Sequence, residues 1–463
     1  MIYSSSWICR GMLAVILLVS AVFVQAQTVF NLQSLTDSAT AFLPLLKQRE
    51  SQINGAKSII TDTKHSFLPQ LRAAEQLNLG TDNSLAGSYY GFGITPSTSA
   101  GVRAENNYQA ASGNLAVLYG EYELFNFGLN DARLKNAEAN LDLQKADLAR
   151  EEYLVQLEVA RNYFQLLRQL YRLAADQQNV ERNQAIFAII LALTQSGIQP
   201  GADSSQAKAE LSKSRISYNQ TLGRIAQLKQ QLSYLTGIIP SALIIDSLSS
   251  SSIKSLSAVP DFKMDSLNNP LLNYFNSRKN IFVSSERLIK KTYLPKLFLV
   301  GAGWARGSSI QYNDQYKSLP TGWGYQRFNY SVGLAITYNF LNGISRNDKL
   351  SINRYQIEAN EYAIQQQKLT LASSVSQADE SLQVIRANLI ELNIQSESAL
   401  ATYNQKLAQY RAGLITLIDL SNASFVLYRS QTDFIETLHE WWLAQLDKAA
   451  ATGHLNQFIQ NVK

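Results

Sequence analysis

From Tyr330 to Phe340 the chain alternates without a break. Tyr330, Val332, Leu334, Ile336, Tyr338 and Phe340 are apolar or aromatic, while Ser331, Gly333, Ala335, Thr337 and Asn339 between them are small or polar. A period of two predicts a strand with two unlike faces. Strands are expected on the same grounds over 69–80, 114–126, 295–306 and 329–341. In the first of these, Gln70, Arg72, Gln76 and Asn78 oppose Leu71, Ala73, Leu77 and Leu79, and Glu75 alone breaks the pattern.

Elsewhere the period changes to that of a helix. Ala146, Ala149, Tyr153, Leu157, Ala160, Phe164, Leu167, Tyr171 and Ala174 step by three and four alternately, as do Val375, Ala378, Leu382, Ile385, Leu389 and Leu392. That is a seam of coiled-coil type. The chain has nine prolines, but none between Pro96 and Pro200 and none after Pro320. An interior proline costs a helix about 3 kcal/mol, so these gaps permit helices over 128–196 and 343–411. At 1.5 Å per residue each would extend roughly 100 Å.

The layout occurs twice. Pro44 and Pro69 are 25 residues apart, as are Pro270 and Pro295, and each pair ends in an aromatic followed by Leu-Pro-x-Leu. Phe125 precedes Gly128 as Phe340 precedes Gly343, and from those glycines to Gly197 and Gly413 is 69 and 70 residues. Four matched landmarks predict a duplicated unit. The expected divisions are a leader over 1–26, a first repeat over 27–237, a linker over 238–263, a second repeat over 264–452 and a polar tail over 453–463. Each repeat is expected to hold a helix, two strands, a long helix and a returning helix. The Gly/Ser/Asn/Tyr-rich stretches 82–113 and 308–326 read as coil between the strands.

Each strand is long enough to cross a bilayer at a tilt. Aromatics gather near the strand ends (Tyr119, Tyr122, Trp304, Trp323, Phe328, Tyr330, Tyr338), as in an interfacial girdle. An amphipathic sheet over a soluble core is the plainer reading of any one strand. The long loops on one side only and the reach of the helices favour a membrane wall. Four strands cannot close a barrel, and an open edge is not tolerated in lipid. Several chains must then share one barrel.

Arg10, the apolar run Met12 to Val24 and the small-x-small Val24-Gln25-Ala26 read as a secretory signal, whose removal would take Cys9 with it. No later apolar run is long enough for a membrane helix. The net charge of +5 is spread over both signs, so no nucleic-acid footprint is evident. His65, His439 and His454 lie far apart, and no HExxH, phosphate loop or nucleophile elbow occurs. No catalytic residue, metal or cofactor is expected, and an enzyme is disfavoured.

The turns that end the long helices carry one more pattern. Gly197 is followed six residues later by Asp203, and Gly413 by Asp419. Such glycines suit a positive φ at a helix end. The aspartates are either helix caps, with Gln206 and Thr416 as partners, or members of acidic rings that would attract cations.

The leader, two tandem copies, two strand pairs, two very long helices and the YSVGLAITYNFLNG boundary together resemble the TolC family of outer-membrane factors. The resemblance spans essentially the whole chain beyond the leader. It implies a mainly α protein with membrane β-strands, forming a homotrimer whose twelve-stranded barrel sits in outer-membrane lipid above an α-helical tunnel in the periplasm. It implies passive conduction as the exit duct of a tripartite efflux pump or type I secretion system. The partners would be a periplasmic membrane fusion (adaptor) protein and an inner-membrane RND or ABC transporter. By resemblance Tyr410 and Asp419 fall at the tunnel's constriction; an arginine and an aspartate of the best-known relative are replaced here by Ile415 and Asn422. Leu414 and Ile415 could instead meet an adaptor's helical hairpin. The rival readings are a periplasmic coiled-coil adaptor, which should lack the strand pairs, and a secreted hydrolase.

Overall fold

The computed structural model describes residues 29–85, 102–197, 200–245 and 269–462. The leader, most of the linker and the middle of the 82–113 stretch lie outside them. The described chain is mainly helical. Its elements run β1 (Val29–Phe30), α1 (Leu32–Phe42), α2 (Pro44–His65), β2 (Gln70–Gly80), β3 (Ala111–Phe125), α3 (Leu129–Gln195) and α4 (Gly201–Thr236). There follow β4 (Ile244–Ile245), α5 (Pro270–Thr292), β5 (Lys296–Ser308), β6 (Arg327–Thr337), α6 (Asn342–Arg411), α7 (Leu417–Thr452) and α8 (Leu455–Asn461). The order helix, strand pair, long helix, return helix occurs twice. The long helices have 67 and 70 residues, and both return helices have 36.

Contacts divide the chain into two units. The first is helical and draws on 29–51, 145–245, 269–276 and 363–462. Its main core joins α1, the start of α2, α3, α4, α6, α7 and α8, with Phe164, Leu166, Leu167, Leu232, Trp442 and Leu446 almost fully enclosed. The Phe164 and Trp442 rings stack with centroids 5.7 Å apart. The expected polar tail is not a tail. Leu455, Phe458 and Ile459 lie on one face of α8, at i, i+3 and i+4, and all three are buried in this core. Helix α1, ahead of Pro44, and the two-residue parallel pairing of β1 with β4 were not expected from the sequence.

His439 on α7 is buried in the same unit. Burial, and then the positive Arg168, bring its imidazole down to about 4. A histidine held neutral in the fold, in a chain that takes up the proton near pH 6.5 when unfolded, withdraws stability as pH falls from 6.5 to 4. The helical unit is expected to lose about 3 kcal/mol across that window, since each pKa unit is worth about 1.4 kcal/mol. Replacing His439→Phe should flatten the dependence of melting temperature on pH; parallel curves for the two proteins would contradict it.

The second unit, from 52–85, 102–144 and 277–362, holds a four-stranded antiparallel sheet in the order β2-β3-β5-β6. Strand β3 begins at Ala111, inside the stretch read as coil, because Ala111-Ser112-Gly113 pairs with Asn78-Leu79-Gly80 through backbone alone. Strand β6 stops at Thr337 rather than 341. Thr337 lies opposite Lys296, the first residue of β5 after Pro295, so Tyr338 and Phe340 have no partner strand to extend the ladder. The 308–326 stretch is not all coil either: Leu319–Trp323 forms a 3₁₀ turn.

Candidate functional site

Residues directly opposite in an antiparallel pair share a face, so the register assigns the two sides of the sheet. Phe328, Tyr330, Val332, Leu334 and Ile336 of β6 lie opposite Ala305, Gly303, Gly301, Leu299 and Leu297 of β5. The middle of that row continues through Ala116, Leu118, Gly120 and Tyr122 of β3, then Glu75, Ala73 and Leu71 of β2. One continuous apolar face results. It is uncovered: Tyr330 is 87% exposed, Val332 74%, Leu334 67% and Ile336 75%. The opposite face carries Arg72 and Gln76 of β2, Glu121 and Glu123 of β3, Lys296 and Arg306 of β5, and Arg327 and Ser331 of β6. Lys296 pairs with Glu123 at 3.3 Å on that side.

The one charge on the apolar face, Glu75, is not left alone. The Tyr325 hydroxyl reaches both its carboxylate oxygens at 2.9 Å, and Tyr325 in turn lies against Phe328, with ring centroids 6.3 Å apart. The strand-to-strand loops are also fastened. Ser112 donates to the Leu319 carbonyl, Asn114 donates to that of Trp323 at 2.7 Å, and Arg103 grips Asp314 with two bonds of 2.6 and 2.5 Å.

Pro69 and Pro295 each stand immediately before a strand, where the missing N–H costs no ladder bond. Where the strands give way to the long helices, the two junctions differ. Phe125 ends β3 and meets Phe127 edge-on at 4.7 Å. Gly128 then takes φ +82° while the Asn126 side chain accepts the Leu129 N–H at 3.0 Å, capping α3. Phe340 is 83% exposed and edge-on to Tyr338 at 4.9 Å. Gly343, matched to Gly128 by sequence, lies within the first turn of α6 and has no positive φ.

At the far ends of the long helices, Gly197 and Gly413 do adopt positive φ, +76° and +72°. The Gly413 N–H bonds the Tyr410 carbonyl at 3.0 Å and the Leu414 N–H that of Gln409 at 2.9 Å, closing α6. A second apolar core lies here, holding Ile186, Ile190, Ala207, Tyr403, Leu417 and Leu420 among others. Tyr410 is buried in it and half-buried Ile415 rests against it. No hydrogen-bond partner for the Tyr410 hydroxyl occurs among the described residues. Burial, and then the charge of Asp203, raise its pKa.

The two aspartates differ. Asp419 closes a full capping box with Thr416, whose hydroxyl donates to the carboxylate at 2.7 Å and whose N–H donates at 3.1 Å. Those bonds hold its carboxyl below the usual range. Asp203 caps nothing: the residue at the cap of α4 is Pro200, without a side-chain bond, and half-buried Asp203 lies inside the first turn, so the expected pairing with Gln206 is not formed. Asn422 is exposed one turn beyond Asp419. Tyr403, Leu417 and Leu420 escaped the sequence reading, although Tyr403 continues the 3–4 spacing of the seam on α6. No cluster of metal-ligating side chains occurs among the described residues.

A sheet with one bare apolar face and two free edges, followed on each repeat by a helix of about 70 residues, is the build of an outer-membrane channel chain. The model of the outer membrane efflux protein family matches residues 35–238 and 295–454, and the chain belongs to that family. It is therefore an efflux channel protein of the outer membrane. Its fold is similar to a membrane protein from Pseudomonas aeruginosa, with TM-score 0.72, 18% identity, and 93% of this chain and 91% of that one covered. It is also similar to the outer membrane protein VceC from Vibrio cholerae (0.70, 16%, 91% and 96%) and to the CmeC outer membrane channel of Campylobacter jejuni (0.71, 15%, 94% and 90%). No curated protein matches the chain.

Proposed function

We propose that three copies close one twelve-stranded barrel, and that the long helices continue it as a periplasmic tunnel serving as the exit duct of a tripartite efflux pump or type I secretion system. The observation that carries this reading is the sheet: edges β2 and β6 have no partner among the described residues, yet the apolar face runs unbroken from one to the other. In hydrocarbon an unpaired edge costs several kcal/mol per group, and four strands are half the smallest single-chain barrel. Edge-to-edge pairing of three copies removes every edge at once. Conduction in this reading is passive, down a water-filled bore.

Light scattering of the detergent-extracted protein should give the mass of three chains. Release from membranes in high salt without detergent would instead favour the periplasmic adaptor reading, which the bare sheet argues against.

The tip-side core around Tyr410, with the turns at Gly197 and Gly413, is the proposed constriction, and Leu414, exposed beside Ile415, is the surface offered to a periplasmic adaptor. An inner-membrane RND or ABC transporter would load the duct. If Asp419 lines the constriction as well as capping α7, Asp419→Ala should weaken block of single-channel current by divalent cations in planar bilayers. Unchanged block would leave Asp419 a capping residue only.

A further inference from the structure

The two larger apolar cores of the helical unit do not touch along three of its helices. The main core ends at Leu173 on α3, begins again at Ile225 on α4 and at Phe434 on α7. The tip-side core begins at Ile186 on α3 and reaches Ala207 on α4 and Leu427 on α7. Neither has a member at 174–185, 208–224 or 428–433.

Apart from buried Ala175 and Leu211, which join neither core, the buried side chains of that gap are polar. Asp176 of α3 is 1% exposed. Its Oδ2 accepts from the Thr221 hydroxyl at 2.6 Å, and its Oδ1 accepts from the Tyr428 hydroxyl at 2.5 Å and from Ser217 at 3.3 Å. The Ser217 and Tyr428 oxygens are 3.2 Å apart. One carboxylate thus binds α3, α4 and α7 together. Ser214 and Ser430, also buried, bond back to their own helices at 2.8 Å and add no apolar bulk.

Interdigitated apolar cores resist displacement because each side chain fills one hole, and a small shift opens voids. A carboxylate ringed by hydroxyls behaves otherwise. Hydroxyls rotate, their bonds tolerate a range of angles, and water can replace a lost partner at little enthalpic cost. A helical bundle asked to bend will bend at such a layer before it bends through either core.

We infer that the Asp176–Ser217–Thr221–Tyr428 layer is the joint at which the tip-side body, from the layer to the Gly197 and Gly413 turns, moves against the rest of the helical unit. This rests on the duct reading for its purpose, opening of the tip, but not for its existence. The layer fixes helix register when shut and yields without dismantling either core when the tip is displaced.

Hydrogen–deuterium exchange of the detergent-solubilised protein tests it. Peptides from 186–207 and 399–427 should exchange as one group, faster than peptides from 153–173 and 434–446, with the change of rate falling at the layer. A variant carrying Asp176→Leu, Ser217→Ala, Thr221→Val and Tyr428→Phe replaces hydrogen-bonded partners together by apolar groups of similar shape, which can be nearly neutral for stability. It should slow the tip-side peptides by about tenfold, leave the main-core peptides unchanged, and reduce the frequency of channel opening in planar bilayers. Uniform exchange along the wild-type helices, or an unchanged tip-side rate in the folded variant, overturns the joint. Should that variant fail to fold, Leu427→Ser serves instead: it should speed exchange on the tip side alone, and equal loosening on both sides refutes the inference. A wild-type protein that keeps the exchange boundary but makes no pore would defeat the duct reading and leave the joint standing.

Discussion

A Val332→Arg protein should be made and exported but should not assemble in the membrane. Val332 lies midway along β6 on the apolar face, opposite Gly301 and 74% exposed. An arginine at the bilayer midplane of such a wall costs about 2–4 kcal/mol, and in the proposed three-chain barrel the cost recurs in every copy. Ser331→Arg, one residue away, is the comparison. Its side chain leaves from the polar face, beside Ala302, and can stay in water. Semi-native gels of outer-membrane fractions should show the assembled species for Ser331→Arg and wild type, and monomer or nothing for Val332→Arg. Equal assembly of both variants would mean that the sheet does not face lipid.

The second large effect is expected at Asp176→Ala. Removing the carboxylate strips the acceptor from three hydroxyls, that of buried Thr221 and those of half-buried Ser217 and Tyr428. A hydrogen bond contributes about 0.5–1.5 kcal/mol, and a buried donor left without a partner carries a further penalty of about 1–3 kcal/mol. A loss of about 4 kcal/mol is expected once partial rearrangement is allowed for. Thermal unfolding followed by circular dichroism should register it as a clear drop in melting temperature. The four-residue apolar replacement of the same layer should not show that drop, because it removes donors and acceptor together. A loss as large in both would identify volume, not hydrogen bonding, as what the layer supplies.

Periodicity made the regular parts of this fold legible. The residues of β6 alternate between an apolar and a polar face of the sheet, and that contrast is written into every second position. Ala111 to Gly113 join β3 through backbone pairing, which leaves no apolar trace, so the strand's true start was hidden. Glu75 could be seen to break its pattern, yet the group that tolerates it there, Tyr325, is 250 residues distant. Asp176 stands in the sequence without a local partner, because the hydroxyls it binds lie 41, 45 and 252 residues along the chain. The caps show the same divide. Thr416 and Asp419 satisfy each other over three residues and could be read locally, whereas Asp203 has the same spacing from its glycine and forms no capping box, because the cap residue is Pro200, which has neither an N–H to donate nor a side-chain acceptor.

The bare margins at β2 and β6 also have a history in the life of each molecule. A newly delivered polypeptide whose margins are still unpaired offers two ribbons of unanswered amides and carbonyls beside a greasy surface, a template for fibrous clumping. Overproduction of the chain should therefore draw a growing share of it into aggregates.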